Sequence, residues 1–436
     1  MHHMIRSRRR DYSKNLRSGF ILALTFLLLS ACSQDTEQVG EDFAEVSTQS
    51  NEKPAPVSRF LYVWARDQGM EQADFFSVFD VDPVSETYGQ LISTLSMGVV
   101  ANAHHTEHFM PEGDRLFMNG FMTGNSFVVN VADPRAPVMD ATFTNAGPYT
   151  YPHSFERIPD GHVLSTFQNK GGPESGAGGL VELDSLGNYV RGTDAADPAD
   201  PQLRPYSLAP IPGLDRVVTT TGDMWAKWLG RSVQIWRMSD LSLLTTVNLP
   251  PGPKGHEHLD VAEARLLDDG KTVIVTTFHC GMYVLTGLDS DVPDIKFVHS
   301  FPFESYEAGD ECGVPWRFGD HWIQPVERTS SLHVLDISDP QRPRELSRLF
   351  FGDGEGPHWI SGELGGNRIA LTGKGPWLDG RIILLHLDPE TGELRVDEDF
   401  RTPGADRPGA DMNRESWPHG DNGPAMPHGV VFSRPE

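Results

Sequence analysis

From residue 59 onward one β pattern returns about every 50 residues, and this periodicity limits the folds open to the chain more than any other feature. Its clearest unit is an apolar run followed by an Asp-rich turn and a second extended run. It reads "FFSVFDVDPVSETYGQLIS" at its first appearance, "GLVELDSLGNYVRG" at its third and "LHVLDISDPQRPRELSRL" at its sixth, with seven in all. A second hairpin precedes most of these. Its first strand begins at His104, His153, Pro205, His258, Val314 and His358, at intervals of 49, 52, 53, 56 and 44 residues, and once more at His428. Four strands in such a length make one β-propeller blade. The start at His428, "MPHGVVFSRPE", has no strands after it, whereas the first outer hairpin has only "RFLYVWA" before it. The two ends complement each other. The sequence therefore predicts an all-β, seven-bladed propeller over residues 59–436, closed by pairing of the C-terminal strand with the N-terminal strands, so that no sheet edge is left at the junction.

Innermost strands all run the same way along a propeller's central channel, so their first residues gather at one mouth. Five of the seven starts carry histidine: His104 (with His105), His153, His258 (with His256), His358 and His428. Neutral imidazoles in such number suit copper, zinc, iron or nickel rather than the hard cations calcium and magnesium. A plainer arrangement, with each ring bonded to backbone or water, is open as well. Glu107, Glu156 and Glu257 stand beside these positions as candidate proton acceptors, Glu156 being equally able to pair with Arg157. Trp225, Trp228, Trp377 and Trp417 lie on loops of the same face, where they form an apolar lid or pack the loops themselves.

The first 31 residues read as a leader: a basic "MIRSRRR" and then eleven apolar residues, "GFILALTFLLL". The "LSAC" that follows resembles a bacterial lipobox. It implies cleavage before Cys32, lipid on its thiol, and a periplasm-facing lipoprotein; Ser33 in the next position points to the outer membrane. Residues 32–58 are polar and aperiodic and read as a disordered tether. Without the leader the chain holds 30 basic and 60 acidic residues, which excludes nucleic acid as a partner. Beyond Cys32 the cysteines are Cys280 and Cys312, open to a disulfide, to buried thiols, or to soft metal ligation.

Several stretches resemble the selenium-binding protein family, which includes the bacterial methanethiol oxidases. They are "DFFSVFDVDPVSETYGQLI", "AHHTEHF", "PHSFERIPDGHVLST", "GAGGLVELD" and, most specifically, "LHVLDISDPQRPRELSRLFFG", in family order over most of residues 60–350. The resemblance implies a seven-bladed propeller and a copper centre. It implies oxidation of methanethiol by dioxygen and water to formaldehyde, hydrogen sulfide and hydrogen peroxide. His104 and His105 match the family's paired histidines, His153 the first histidine of an "HTSH"-like motif, and His428 the histidine near the C-terminus. Glu156 stands where that motif has its second histidine. His258 and His358 rest on the geometric argument alone. The cysteine associated with selenium binding is replaced near Val63, so selenium binding of that kind is not expected. The leading expectation is an oxidase of a small thiol with His104, His105, His153, His258, His358 and His428 at its metal and Glu156 or Glu107 taking protons. The alternatives are a non-catalytic propeller that binds a metal or a protein partner, and a zinc hydrolase or lyase built on the same ring.

Overall fold

The computed structural model describes residues 57–120, 123–172, 176–224, 229–290, 292–305, 311–420 and 422–436. The leader, Cys32 and nearly all of the tether, with Trp225 and Trp228, lie outside them. The described residues form seven small antiparallel sheets arranged as a seven-bladed propeller, with two short 3-10 turns and no α-helix.

Blade 1 is the composite one. Its strands run in the order Leu91–Ser96, Phe75–Asp80, Phe60–Asp67 and Ala425–Phe432, so the C-terminal strand is innermost, as the complementary ends foretold. The innermost strands of blades 2 to 7 are Ala103–Thr106, Tyr149–Arg157, Leu208–Ile211, Val261–Leu266, Trp316–Phe318 and Gly356–Gly362. Blade 1 is tied to blade 7 as well. The Arg368 guanidinium donates to the Ser58 carbonyl at 2.7 Å and to both Glu363 oxygens, one of which accepts from the Ser58 amide.

Strand alternation builds the core. In blade 5, Val273, Val275, Tyr283 and Leu285 face blade 4, while Ile274, Met282 and Val284 face blade 6. Both faces of each middle strand are covered, which is why these segments read as near-continuous apolar runs. Cys280, beside the third strand of blade 5, and Cys312, on the approach to blade 6, form a disulfide in that second cluster. This selects one of the alternatives the cysteines left open.

Candidate metal centre

Four of the five histidine starts, all but His258, coincide with a β-bulge. His104 and His105 together oppose the single residue Asn119, His153 and Ser154 oppose Thr166, His358 is an extra residue between pairs formed by Pro357 and Trp359, and His428 with Gly429 opposes Trp64. A bulge breaks the two-residue alternation and re-aims a side chain. Here it turns imidazoles from neighbouring blades toward one another, two of them from blade 2. The residue opposite the bulge then stitches blade to blade. The Asn119 carboxamide accepts from the His105 amide and donates to the His153 carbonyl, the Thr166 hydroxyl donates to the Tyr206 carbonyl, and the Thr372 hydroxyl donates to the His428 carbonyl. These supporting residues were not foreseen, because a short polar side chain in a strand carries no special sequence signal. Gly429 is required at its place: a Cβ there would stand 2.8 Å from the Thr106 amide nitrogen.

The rings meet closely. Their centroids are 4.0 Å apart for His104 and His105, 4.6 Å for His104 and His428, 5.2 Å for His104 and His153, and 4.3 Å for His105 and His153. One nitrogen each of His104, His105 and His428 lie within 4.8 Å of one another. Burial, reinforced for His104 and His105 by neighbouring imidazoles and for His428 by His358, lowers all three well below the usual histidine range; burial brings His153 to about 3. All four are therefore neutral at pH 7 and offer lone pairs. Nδ1 of His153 lies 2.8 Å from the Tyr206 carbonyl oxygen, which can only accept, so Nδ1 carries the proton and Nε2 the lone pair. That Nε2, both nitrogens of His105 and Nδ1 of His428 are buried with no hydrogen-bond partner among the described residues. Each such orphan costs about 1–3 kcal/mol. Several orphans converging at one point, all neutral imidazole, fit a transition-metal ion better than a set of structural histidines.

His358 borders this group, its ring 5.0 Å from that of His428. Its Nδ1 lies 2.8 Å from Glu311, with Glu327 at 3.8 Å, and the Lys374 ammonium lies 2.9 Å from Glu327. Burial opposes a charge on His358, but the two carboxylates outweigh it and raise the group to about 9. Neither glutamate was foreseen; Glu311 is more than 40 residues from His358 in sequence and is brought to it from the approach to blade 6.

Three expectations need correction. His258 is not brought to the cluster; its electrostatic neighbours are Arg231, Glu257 and His256. The bulged residue of blade 5 is Ala262, so the histidine falls in the loop before the strand. Glu107 is not poised to take protons from the site. Its carboxylate is held by Arg157 at 2.7 Å and by the Phe117 amide at 2.8 Å, which also removes Arg157 as a partner for Glu156. Glu156 lies three residues, or about 10 Å, further along the channel than His153, among Arg265, Glu107 and Glu263. Of the two described lid tryptophans, Trp417 packs on Phe75 and Trp377 on Phe351, so both pack the loops and blades.

Glu156 has a consequence of its own. Burial raises its carboxyl from 4.5 to about 8, so the folded protein holds a proton that the unfolded chain releases. Its contribution is complete below pH 4.5 and is lost as pH rises to about 8. Glu156→Gln should flatten the decline in stability over that window by on the order of 3 kcal/mol. Denaturant melts of both proteins at pH 5 and pH 8 check it; parallel declines would refute it.

No family model matches the chain. A methanethiol oxidase from Hyphomicrobium sp is 24% identical over 350 residues, 72% of this chain and 75% of the relative. A methanethiol oxidase from Ruegeria pomeroyi is 31% identical over 159 residues, 34% and 36% of the two chains. Among solved structures, a hypothetical selenium-binding protein from Sulfolobus tokodaii matches with a TM-score of 0.70 at 16% identity, covering 87% of this chain and 94% of that one. The periplasmic gluconolactonase of Pseudomonas aeruginosa matches at 0.58 and 12%, covering 86% and 99%. These structures share the fold. The chain thus has sequence relatives named methanethiol oxidase and a structural neighbour named selenium-binding protein, in line with the resemblance carried by its motifs.

Proposed function

We propose that this chain is a copper-dependent oxidase of methanethiol or a related small thiol, yielding formaldehyde, hydrogen sulfide and hydrogen peroxide. One observation carries the reading: His104, His105, His153 and His428, all neutral and set by bulges in three innermost strands, converge, and buried nitrogens of His105, His153 and His428 have no hydrogen-bond partner among the described residues. The relatives named methanethiol oxidase support the reaction class. His104, His105, His153 and His428 would hold the metal, with His358 at its border. Bound copper would supply a Lewis acid that favours the thiolate and a route for electrons to dioxygen.

The protein's own groups prepare the site. Burial keeps the ligand imidazoles neutral, and the Tyr206 carbonyl orients His153. The Trp359 ring, itself fully buried, packs 4.6 Å from that of His105. His358 holds a proton at Nδ1 against Glu311, beside the mouth where protons must be exchanged. With lipid on Cys32, the reaction would take place at the periplasmic side of the outer membrane.

The test is oxygen uptake with methanethiol on copper-loaded protein, with peroxide and sulfide measured together. Turnover giving both products is the expected result. Full copper occupancy without turnover would overturn the oxidase reading in favour of a metal-binding propeller.

A further inference from the structure

A cavity of about 190 Å³ opens against the histidine cluster, with His428 and His358 on one side and Arg66, Met426, Lys374 and Glu311 around it. Methanethiol has two non-hydrogen atoms. At roughly the 30 Å³ that one water molecule occupies in the liquid for each of them, it would fill about a third of that space. The cavity has room for a longer molecule.

Its charges are unequally engaged. Glu311 is met by His358 at 2.8 Å and Glu327 by Lys374 at 2.9 Å. Arg66 is different. It stands at the end of its strand, opposite Met426 in the register that closes the ring. Its guanidinium makes a 3.0 Å contact to the Met426 thioether and a long 3.4 Å bond to the Gln68 carbonyl, and it forms no ion pair among the described residues. A thioether is a weak acceptor, so a planar fork of five donors is left largely unused at the wall of a cavity that also touches the candidate metal ligands. Arg66 is close enough for its charge to bear on His428. A guanidinium so placed recognises carboxylates in two-point fashion.

We infer that the preferred substrate is a short thiol bearing a carboxylate, held with its sulfur toward His104, His105 and His428 and its carboxylate on Arg66. The inference rests on the thiol-oxidising reading above and narrows it. For mercaptoacetate the C–S bond breaks and a C=O bond forms, water supplying the oxygen. One methylene C–H bond breaks as well, so the carbon gives up two electrons, released together with two protons, one from that bond and one from water, while the other water proton goes to the sulfur. Dioxygen takes the two electrons and the two released protons and becomes hydrogen peroxide, and the sulfur leaves as hydrogen sulfide beside glyoxylate. Methanethiol is the same reaction without the anchor.

The experiment compares mercaptoacetate with methanethiol on the copper-loaded full chain, in wild type, Arg66→Gln and Arg66→Lys. Propionate, which carries the anchor group without a thiol, is titrated calorimetrically into the same proteins. The wild type should prefer mercaptoacetate in kcat/KM. Arg66→Gln should lower that preference roughly 10- to 100-fold through KM, and Arg66→Lys should restore part of it. Propionate should bind the wild type and not Arg66→Gln. Methanethiol turnover without preference for mercaptoacetate, and with no propionate binding, overturns the carboxylate anchor and leaves the oxidase reading standing. Propionate binding that depends on Arg66 in a protein that oxidises neither thiol overturns the oxidase reading and keeps the anchor. Equal propionate binding by wild type and Arg66→Gln overturns the anchor whatever the activity.

Discussion

Truncation at Pro424, which removes the innermost strand Ala425–Phe432, should leave no soluble monomer. The strand buries Val430, Val431 and Phe432 and pairs with Phe60–Asp67 along most of its length. Burial of those three side chains alone is worth roughly 5–9 kcal/mol, comparable with the whole stability of an ordinary domain, about 5–15 kcal/mol. The loss would also bare the edge of Phe60–Asp67, a long apolar strand ready to pair with another chain. Size-exclusion chromatography and a circular-dichroism melt read the outcome directly. A monomeric truncate that unfolds at the wild-type temperature would show that closure by this strand does not hold the ring.

His104→Ala combined with His153→Ala should abolish copper binding while leaving the propeller intact. Loss of even an outer-shell partner of a metal ligand costs roughly 10–100-fold in affinity, so removal of two ligands costs more than its square. The ladders do not depend on these rings: the residues opposite the bulges bond to backbone groups of His105, Ser154 and His153. The stability cost should therefore stay local, about 1–2 kcal/mol. The sharper sign is linkage. Copper at a thousand times its dissociation constant stabilises a protein that binds it by about 4 kcal/mol. The wild type should gain that increment and the double variant none of it. A double variant with undiminished copper content and the same thermal gain would remove His104 and His153 from the site.

The contrast between His153 and His258 shows what could be read from residues alone. The blade repeat was legible because strand and turn chemistry is local: Asp-rich turns follow apolar runs at a steady interval, and the unmatched ends could only complete each other. The same periodicity singled out His104, His153, His358 and His428, and the structure places each of them at a bulge of an innermost strand. It failed at His258 because the loop before blade 5 is longer, and a four-residue offset moves a side chain out of the channel mouth. It failed at Glu107 and Glu156 because strand direction carries a residue away from the mouth with each step. Nearness in sequence to a ligand then becomes distance along the channel. Glu311, Lys374 and Asn119 were not legible at all. They act across blade boundaries, and nothing in a short polar or charged residue announces which neighbouring blade it will face. The bulges were hidden for the same reason, as they exist only in the pairing of two strands.

The closure of blade 1 also has a mechanical meaning. Phe60–Asp67 lies between two antiparallel partners, Phe75–Asp80 and Ala425–Phe432, and Ser58 just before it is gripped by Arg368 and Glu363. A pull transmitted through the residues preceding Ser58 would run along the strand axis. It would load both ladders in shear, all rungs at once, instead of peeling them open one after another. A ring fastened in this way resists being unravelled from the end at which a tether would hold it.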